Sequence, residues 1–131
     1  MKYGFVAGSF DLIHPGYIKL FQFAKKHCDY LIVGIHIDPS LERPIKFKPI
    51  HNKRERKNIL ESIKYVDKTI FYKSEKDLYK LLEKLTISVR FLDEEYKTKK
   101  ITGSNLDIKI KWVPRRHSYS TTNLIKKIKS K

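Results

Sequence analysis

The sequence predicts an α/β domain, a five-stranded parallel sheet with helices on both faces. Three observations carry that prediction. Short apolar runs rich in β-branched residues alternate along the whole chain with segments whose apolar residues recur at i, i+3, i+4 and i+7. The run from Tyr30 to Ile37 is almost continuously apolar, as a strand covered on both faces must be. Finally, 131 residues that are 40% hydrophobic suit one domain, residues 1–131, with a core of its own.

In chain order, Tyr3 to Ala7 reads as the first strand, followed by the turn Gly8-Ser9-Phe10-Asp11. Pro15 fits the first position of a helix, and Tyr17, Leu20, Phe21 and Ala24 give it an apolar stripe to about His27. Tyr30 to Ile37 is the second strand. A loop punctuated by Pro39, Pro44 and Pro49 runs from Asp38 to His51. Asn52, with Glu55 three residues on, is a capping box for a helix bearing Ile59, Leu60 and Ile63. Lys68 to Tyr72 makes a third strand, and Leu78, Leu81, Leu82 and Leu85 stripe a third helix. Ser88 to Leu92 is a fourth strand, Asp93 to Asn105 a long polar loop, and Ile108 to Val113 a fifth strand. Ser120 caps a last helix carrying Leu124, Ile125 and Ile128. The loops Gly8–His14, Asp38–His51, Asp93–Gly103 and Pro114–Thr122 all leave strand carboxyl ends, so they are expected to meet at one crevice.

Charge and composition narrow the function. The chain carries 29 Lys+Arg against 14 Asp+Glu, a formal net charge of +15, which calls for an anionic partner. Twenty-three of those cations are lysines scattered from Lys2 to Lys131 and only six are arginines. Specific phosphate and base contacts favour the arginine fork, and no basic stretch is interleaved with aromatics, so a nucleic-acid-binding module ranks last. No apolar stretch is long enough to span a bilayer, and no secretory leader opens the chain, so a cytoplasmic protein is expected. A single cysteine, Cys28, excludes an internal disulfide and a cysteine-based zinc site; it reads as a small packing residue.

The first turn holds the densest chemistry. Gly8 and Gly16 permit close approach of a phosphate, the helix N-terminus favours an anion, and His14 sits at the same mouth. Gly8, Phe10, Asp11, His14 and Gly16 resemble the first signature of the nucleotidyltransferase superfamily, Gly-x-Phe-Asp-x-x-His-x-Gly-His, with Tyr17 in place of its second histidine. Lys64-Tyr65-Val66-Asp67 resembles the Arg-Tyr-Val-Asp of the glycerol-3-phosphate cytidylyltransferases, Lys64 keeping the charge but losing the fork. Tyr119-Ser120-Thr121-Thr122 resembles the closing Ile-Ser-Thr-Thr. Leu92-Asp93-Glu94-Glu95-Tyr96 stands where the family has Met-Gly-Asp-Asp-Trp. Order, spacing and total length all fit, so the resemblance covers essentially the whole chain.

The resemblance implies a Rossmann-like domain that transfers CMP from CTP to a small phosphorylated alcohol such as glycerol 3-phosphate, releasing pyrophosphate. It implies catalytic roles for His14, Tyr17, Lys46 and Arg115. It implies nucleotide contacts from Gly8, Ser9, Phe10, Asp11, Gly16, Lys48, Glu95, Tyr119, Ser120, Thr121 and Thr122, and acceptor contacts from Arg56 and Lys64. Mg²⁺ would arrive with the triphosphate, not in a set of protein ligands, and related enzymes imply a homodimer. Bland readings stand beside these roles: Tyr17 as a packing residue, Ser120 and Thr121 as ordinary caps, the lysines as solvated charge. An adenylyltransferase of the same fold and a catalytically weakened nucleotide-binding domain are the alternatives, the second because a phenol carries no positive charge near neutral pH.

Overall fold

The computed structural model describes all 131 residues. Strand β1 spans Tyr3–Gly8, β2 Tyr30–His36, β3 Lys68–Tyr72, β4 Val89–Asp93 and β5 Lys109–Val113. Helix α1 spans Pro15–Lys26, α2 Lys53–Glu61, α3 Glu75–Lys84 and α4 Thr121–Lys129. The strands form one sheet in the order β3-β2-β1-β4-β5, and every neighbouring pair is parallel. This is the expected Rossmann-like α/β architecture, element for element.

Side chains alternate across the sheet and fill two cores. On one face Val6, Leu31, Val33, Ile35, Val89 and Phe91 pack with Phe21 and Ala24 of α1 and Leu60 of α2. On the other, Phe5, Ile32 and Tyr72 pack with Leu78 and Leu82 of α3. Parallel crossovers are right-handed, so the chain winds outward from β1 to β3 over one face, then recrosses β2 and β1 over the other to reach β4. Strand order therefore reverses between β1 and β4, and a crevice opens above their carboxyl ends.

Local sequence chemistry sets the ends. Asn52 and Glu55 form the capping box, Asn52 Oδ1 accepting from Glu55 N at 2.9 Å and Glu55 Oε1 from Asn52 N at 2.9 Å. Ser120 caps α4 through Asn123 N at 3.0 Å. The loop after β4 holds a 3₁₀ turn, Glu94–Thr98, that its polar composition hides. Ile59 lies on the solvent side of α2, 36% exposed, because the inward face runs through residue 56, Leu60 and Ile63.

Candidate active site

Two non-glycine residues at the tip of β1, Phe10 and Leu12, adopt left-handed backbone with φ 51° at each, a conformation that survives only where its surroundings fix it. Asp11, between them, does the fixing. It is 6% exposed, and its carboxylate accepts from Ile50 N at 2.8 Å and His51 N at 3.0 Å. The Asp38–His51 loop is thereby tied to the first turn.

His14 follows at the mouth of α1. Its Nδ1 accepts the Gly16 N–H at 3.1 Å, so the neutral ring must carry its proton on Nε2. That Nε2 is buried and has no partner in the chain. Burial, with His117 and Arg115 nearby, holds the His14 pKa below its ordinary value, keeping the ring a neutral donor at pH 7. Gly16 is required by close approach: a Cβ there would lie 2.7 Å from His117 Cε1 and 2.8 Å from His14 Cε1. His117 repeats the His14 arrangement. Its Nδ1 accepts from Tyr119 N at 3.1 Å, again leaving Nε2 as the donor.

Tyr17 is present at the site but spends its proton inside the fold. The Thr121 hydroxyl donates to Asp11 O at 2.8 Å, so at 3.1 Å from Tyr17 Oη it can only accept. The phenol ring stacks on His14, centroids 4.1 Å apart. Burial, the largest influence on it, raises the phenol pKa. Tyr17 orders His14 and Thr121, and its hydroxyl proton, directed at Thr121, is not free to reach an anion in this arrangement.

The N-termini of α1 and α4 carry no acid in their first turns, whereas α2 and α3 begin with Glu55 and with Glu75 and Asp77. Of the helices whose first turns meet the crevice, α1 and α4 are thus left unneutralised, as an anion site requires, while α3 presents Glu75 to it. Arg115 binds the last loop together: it donates to Tyr119 O at 2.7 Å and to Asp93 Oδ2 at 3.3 Å, and lies 3.8 Å from Glu95. Together these segments enclose a cavity of about 880 Å³.

All four predicted loops contribute to that cavity. It is lined by Gly8, Ser9, Phe10, Asp11, His14, Gly16, Tyr17, Lys46, Glu95, Arg115 and Tyr119 to Thr122. Three expected residues lie elsewhere. Lys48 borders a smaller hollow beside Arg56. Arg56 is 2% exposed and points inward, donating to the carbonyls of His51, Ser9, His36 and Ile37 at 3.1, 3.0, 2.7 and 2.5 Å. It clamps backbone and is not free to hold an acceptor. Lys64 is exposed at the amino end of the sheet, over the Tyr65 ring, because a segment preceding β3 emerges opposite the strand carboxyl ends. Its neighbour Asp67 pins Leu31 N at 2.8 Å.

Sequence reading missed His117, Arg90, His36 and Tyr72, which also line the cavity. For the last two a signal existed: polar aromatic residues ending buried parallel strands sit where ligands bind.

The family model described as Cytidylyltransferase-like matches residues 5–127. The chain belongs to the cytidylyltransferase-like family of nucleotidyltransferases. This cytidylyltransferase-like chain is 31% identical over 131 residues to "Bifunctional protein HldE" of Campylobacter jejuni, covering 99% of this chain and 28% of that one. It is 31% identical over 136 residues to the HldE protein of Caulobacter vibrioides, again 99% and 28%. The chain therefore spans little more than a quarter of the length of these curated relatives. Among solved structures, a lipopolysaccharide core biosynthesis protein from Thermoplasma volcanium superposes with TM-score 0.71 at 25% identity, covering 92% of this chain and 99% of that one. Pantoate-beta-alanine ligase from Francisella tularensis shares the fold, TM-score 0.65 at 21% identity, over 95% of this chain and 65% of that one. No helix is long and apolar enough to cross a membrane.

Proposed function

We propose that this domain transfers AMP from ATP to the phosphate of a sugar phosphate, releasing pyrophosphate. The observation that carries the nucleotidyl transfer is the buried, partnerless Nε2–H of His14 at the α1 N-terminus, above the reversal of strand order. Likeness to HldE proteins and to a lipopolysaccharide core biosynthesis protein favours the adenylyl reading with a sugar phosphate over CMP transfer to glycerol 3-phosphate.

In this reading an acceptor phosphate oxygen attacks the α-phosphorus, the bond to the bridging oxygen breaks, and pyrophosphate leaves with that electron pair. A phosphate monoester is largely dianionic at neutral pH, its second pKa being about 6, so no general base is needed. The protein's part is alignment and charge neutralisation. His14 and His117 direct Nε2–H donors at the triphosphate, Lys46 and Arg115 add positive charge, and the free Thr121 and Thr122 N–H groups of the α4 first turn complete the cradle. Asp11 is committed to the Ile50 and His51 amides, and no three His, Cys, Asp or Glu side chains are grouped to hold a metal. Mg²⁺, where it accompanies the triphosphate, would supply charge neutralisation.

Pyrophosphate release with ATP and CTP, each against sugar 1-phosphates and glycerol 3-phosphate, tests the reading. ATP with a sugar phosphate should give the highest kcat/KM. Preference for CTP would restore cytidylyl transfer, and silence with every pair would leave a nucleotide-binding domain.

A further inference from the structure

A second lobe of the cavity lies on the α3 face of the sheet, away from His14. His36 and Tyr72 are register partners at the carboxyl ends of β2 and β3, with rings stacked 4.7 Å apart. Arg90, on β4, points to the same face. Each is nearly enclosed, His36 5%, Tyr72 5% and Arg90 3% exposed, and each line the cavity. Their polar atoms are under-used. His36 Nε2 lies 3.3 Å from Glu42 Oε1 without the alignment of a hydrogen bond, and has no other partner. Arg90 makes one hydrogen bond, from Nη1 to Thr102 O at 2.7 Å, and has no carboxylate within salt-bridge distance. The Tyr72 hydroxyl bonds nothing in the chain.

Buried polar groups are normally satisfied, so the orphaned His36 Nε2, with the unbonded Tyr72 hydroxyl and the spare Arg90 N–H groups beside it on the same lobe, indicates a polar occupant. Its charge is set by the neighbours. Glu75 accepts from Arg43 at 2.8 Å and from the Thr102 hydroxyl at 3.0 Å, while Glu42 accepts from Glu75 N at 3.1 Å. These carboxylates occupy the α3 N-terminus, repel a phosphate there, and keep lone pairs for hydroxyl donors. Mixed donors and acceptors around stacked rings and the Leu78 side chain suit a neutral polyol, which offers hydroxyls and an apolar C–H face together.

Building on the reaction proposed above, we propose that this lobe binds the polyhydroxylated body of the sugar phosphate, with Tyr72, His36 and Arg90 donating to its hydroxyls and Glu75 accepting from them. The sugar's phosphate would then extend past Ala7, whose small side chain leaves the central strand open on this face, toward the triphosphate at His14.

Calorimetry separates this from the reaction itself. Hexose and heptose 1-phosphates, glycerol 3-phosphate and ATP are titrated separately into wild type, Tyr72→Phe and Glu75→Gln. At least one sugar 1-phosphate should bind more tightly than glycerol 3-phosphate. Both variants should weaken it about tenfold, one decade in Kd, while the ATP Kd stays within about twofold. Tyr72→Phe keeps the ring stack, so its result stands even if Glu75→Gln misfolds. Sugar phosphates binding no better than glycerol 3-phosphate would overturn the proposal, as would variants that weaken ATP or nothing. Sugar-phosphate binding without pyrophosphate release would overturn the reaction and leave the lobe standing.

Discussion

His14 is neutral because protonating Nδ1 would break its bond from Gly16 N, and because burial and the neighbouring cations disfavour a second charge. An unfolded histidine titrates near pH 6.5, and the folded His14 titrates lower. Between those two values the unfolded chain binds a proton that the folded one does not. Stability therefore falls as pH drops through that interval and is restored as pH rises. Thermal melts at pH 7.5 and 5.5 should show this loss, and His14→Asn, which keeps a capping side chain, should reduce it. Tyr17 and His117 make an opposed pair. Tyr17→Phe keeps the stack, loses one hydrogen bond worth about 1 kcal/mol, and should leave kcat within about threefold, since that hydroxyl serves Thr121. His117→Asn should lower kcat about a hundredfold, as loss of one aligned donor does. The reverse result, a large loss from Tyr17→Phe, would return the phenol to the reaction.

At the scale of the element, α2 shows what periodicity reveals and conceals. Residue 56, Leu60 and Ile63 fall at i, i+4 and i+7, one helical face, so the spacing placed residue 56 inward while its charge suggested outward. The inward reading holds because four carbonyls from three segments receive the guanidinium. Arg56→Met should destabilise the fold by about 3 kcal/mol or more, since buried carbonyls lose their donors, measurable by urea unfolding. Strands and helices were legible because burial imposes two distinct periods, and the capping box because its two residue types satisfy each other's backbone. His14, Gly16 and Asp11 were legible as a motif. His117 and Arg90 were not, since their meaning lies in where other segments of the chain pass. Lys64 could have been placed by topology: a residue just before a parallel strand lies at the amino end, opposite the ligand side.

Over the whole molecule, the excess of +15 is mostly scattered lysine, whereas Lys46, Arg115 and Arg116 line the crevice. Salt should discriminate between the two. Raising NaCl from about 0.05 to 0.5 M shortens the screening length severalfold, so ATP affinity should fall about tenfold and AMP affinity much less. Equal losses for both would show that the triphosphate does not sit among those cations. The sheet order also joins this distribution to the proposed reaction, in which nucleotide and sugar would approach from opposite faces of β1 and meet above its carboxyl end.

The Thr121 hydroxyl that reaches the Asp11 carbonyl spans 110 positions of sequence. During synthesis at about 5–20 residues per second, the first loop leaves the ribosome and waits roughly 5–20 s for the helix that completes it. Throughout that wait Tyr17 has no Thr121 to receive its proton and His14 lacks the loop bearing His117. Competence to hold a nucleotide is therefore acquired only once Thr121 has been made and folded back, so a nascent chain cannot sequester substrate before its sheet has closed.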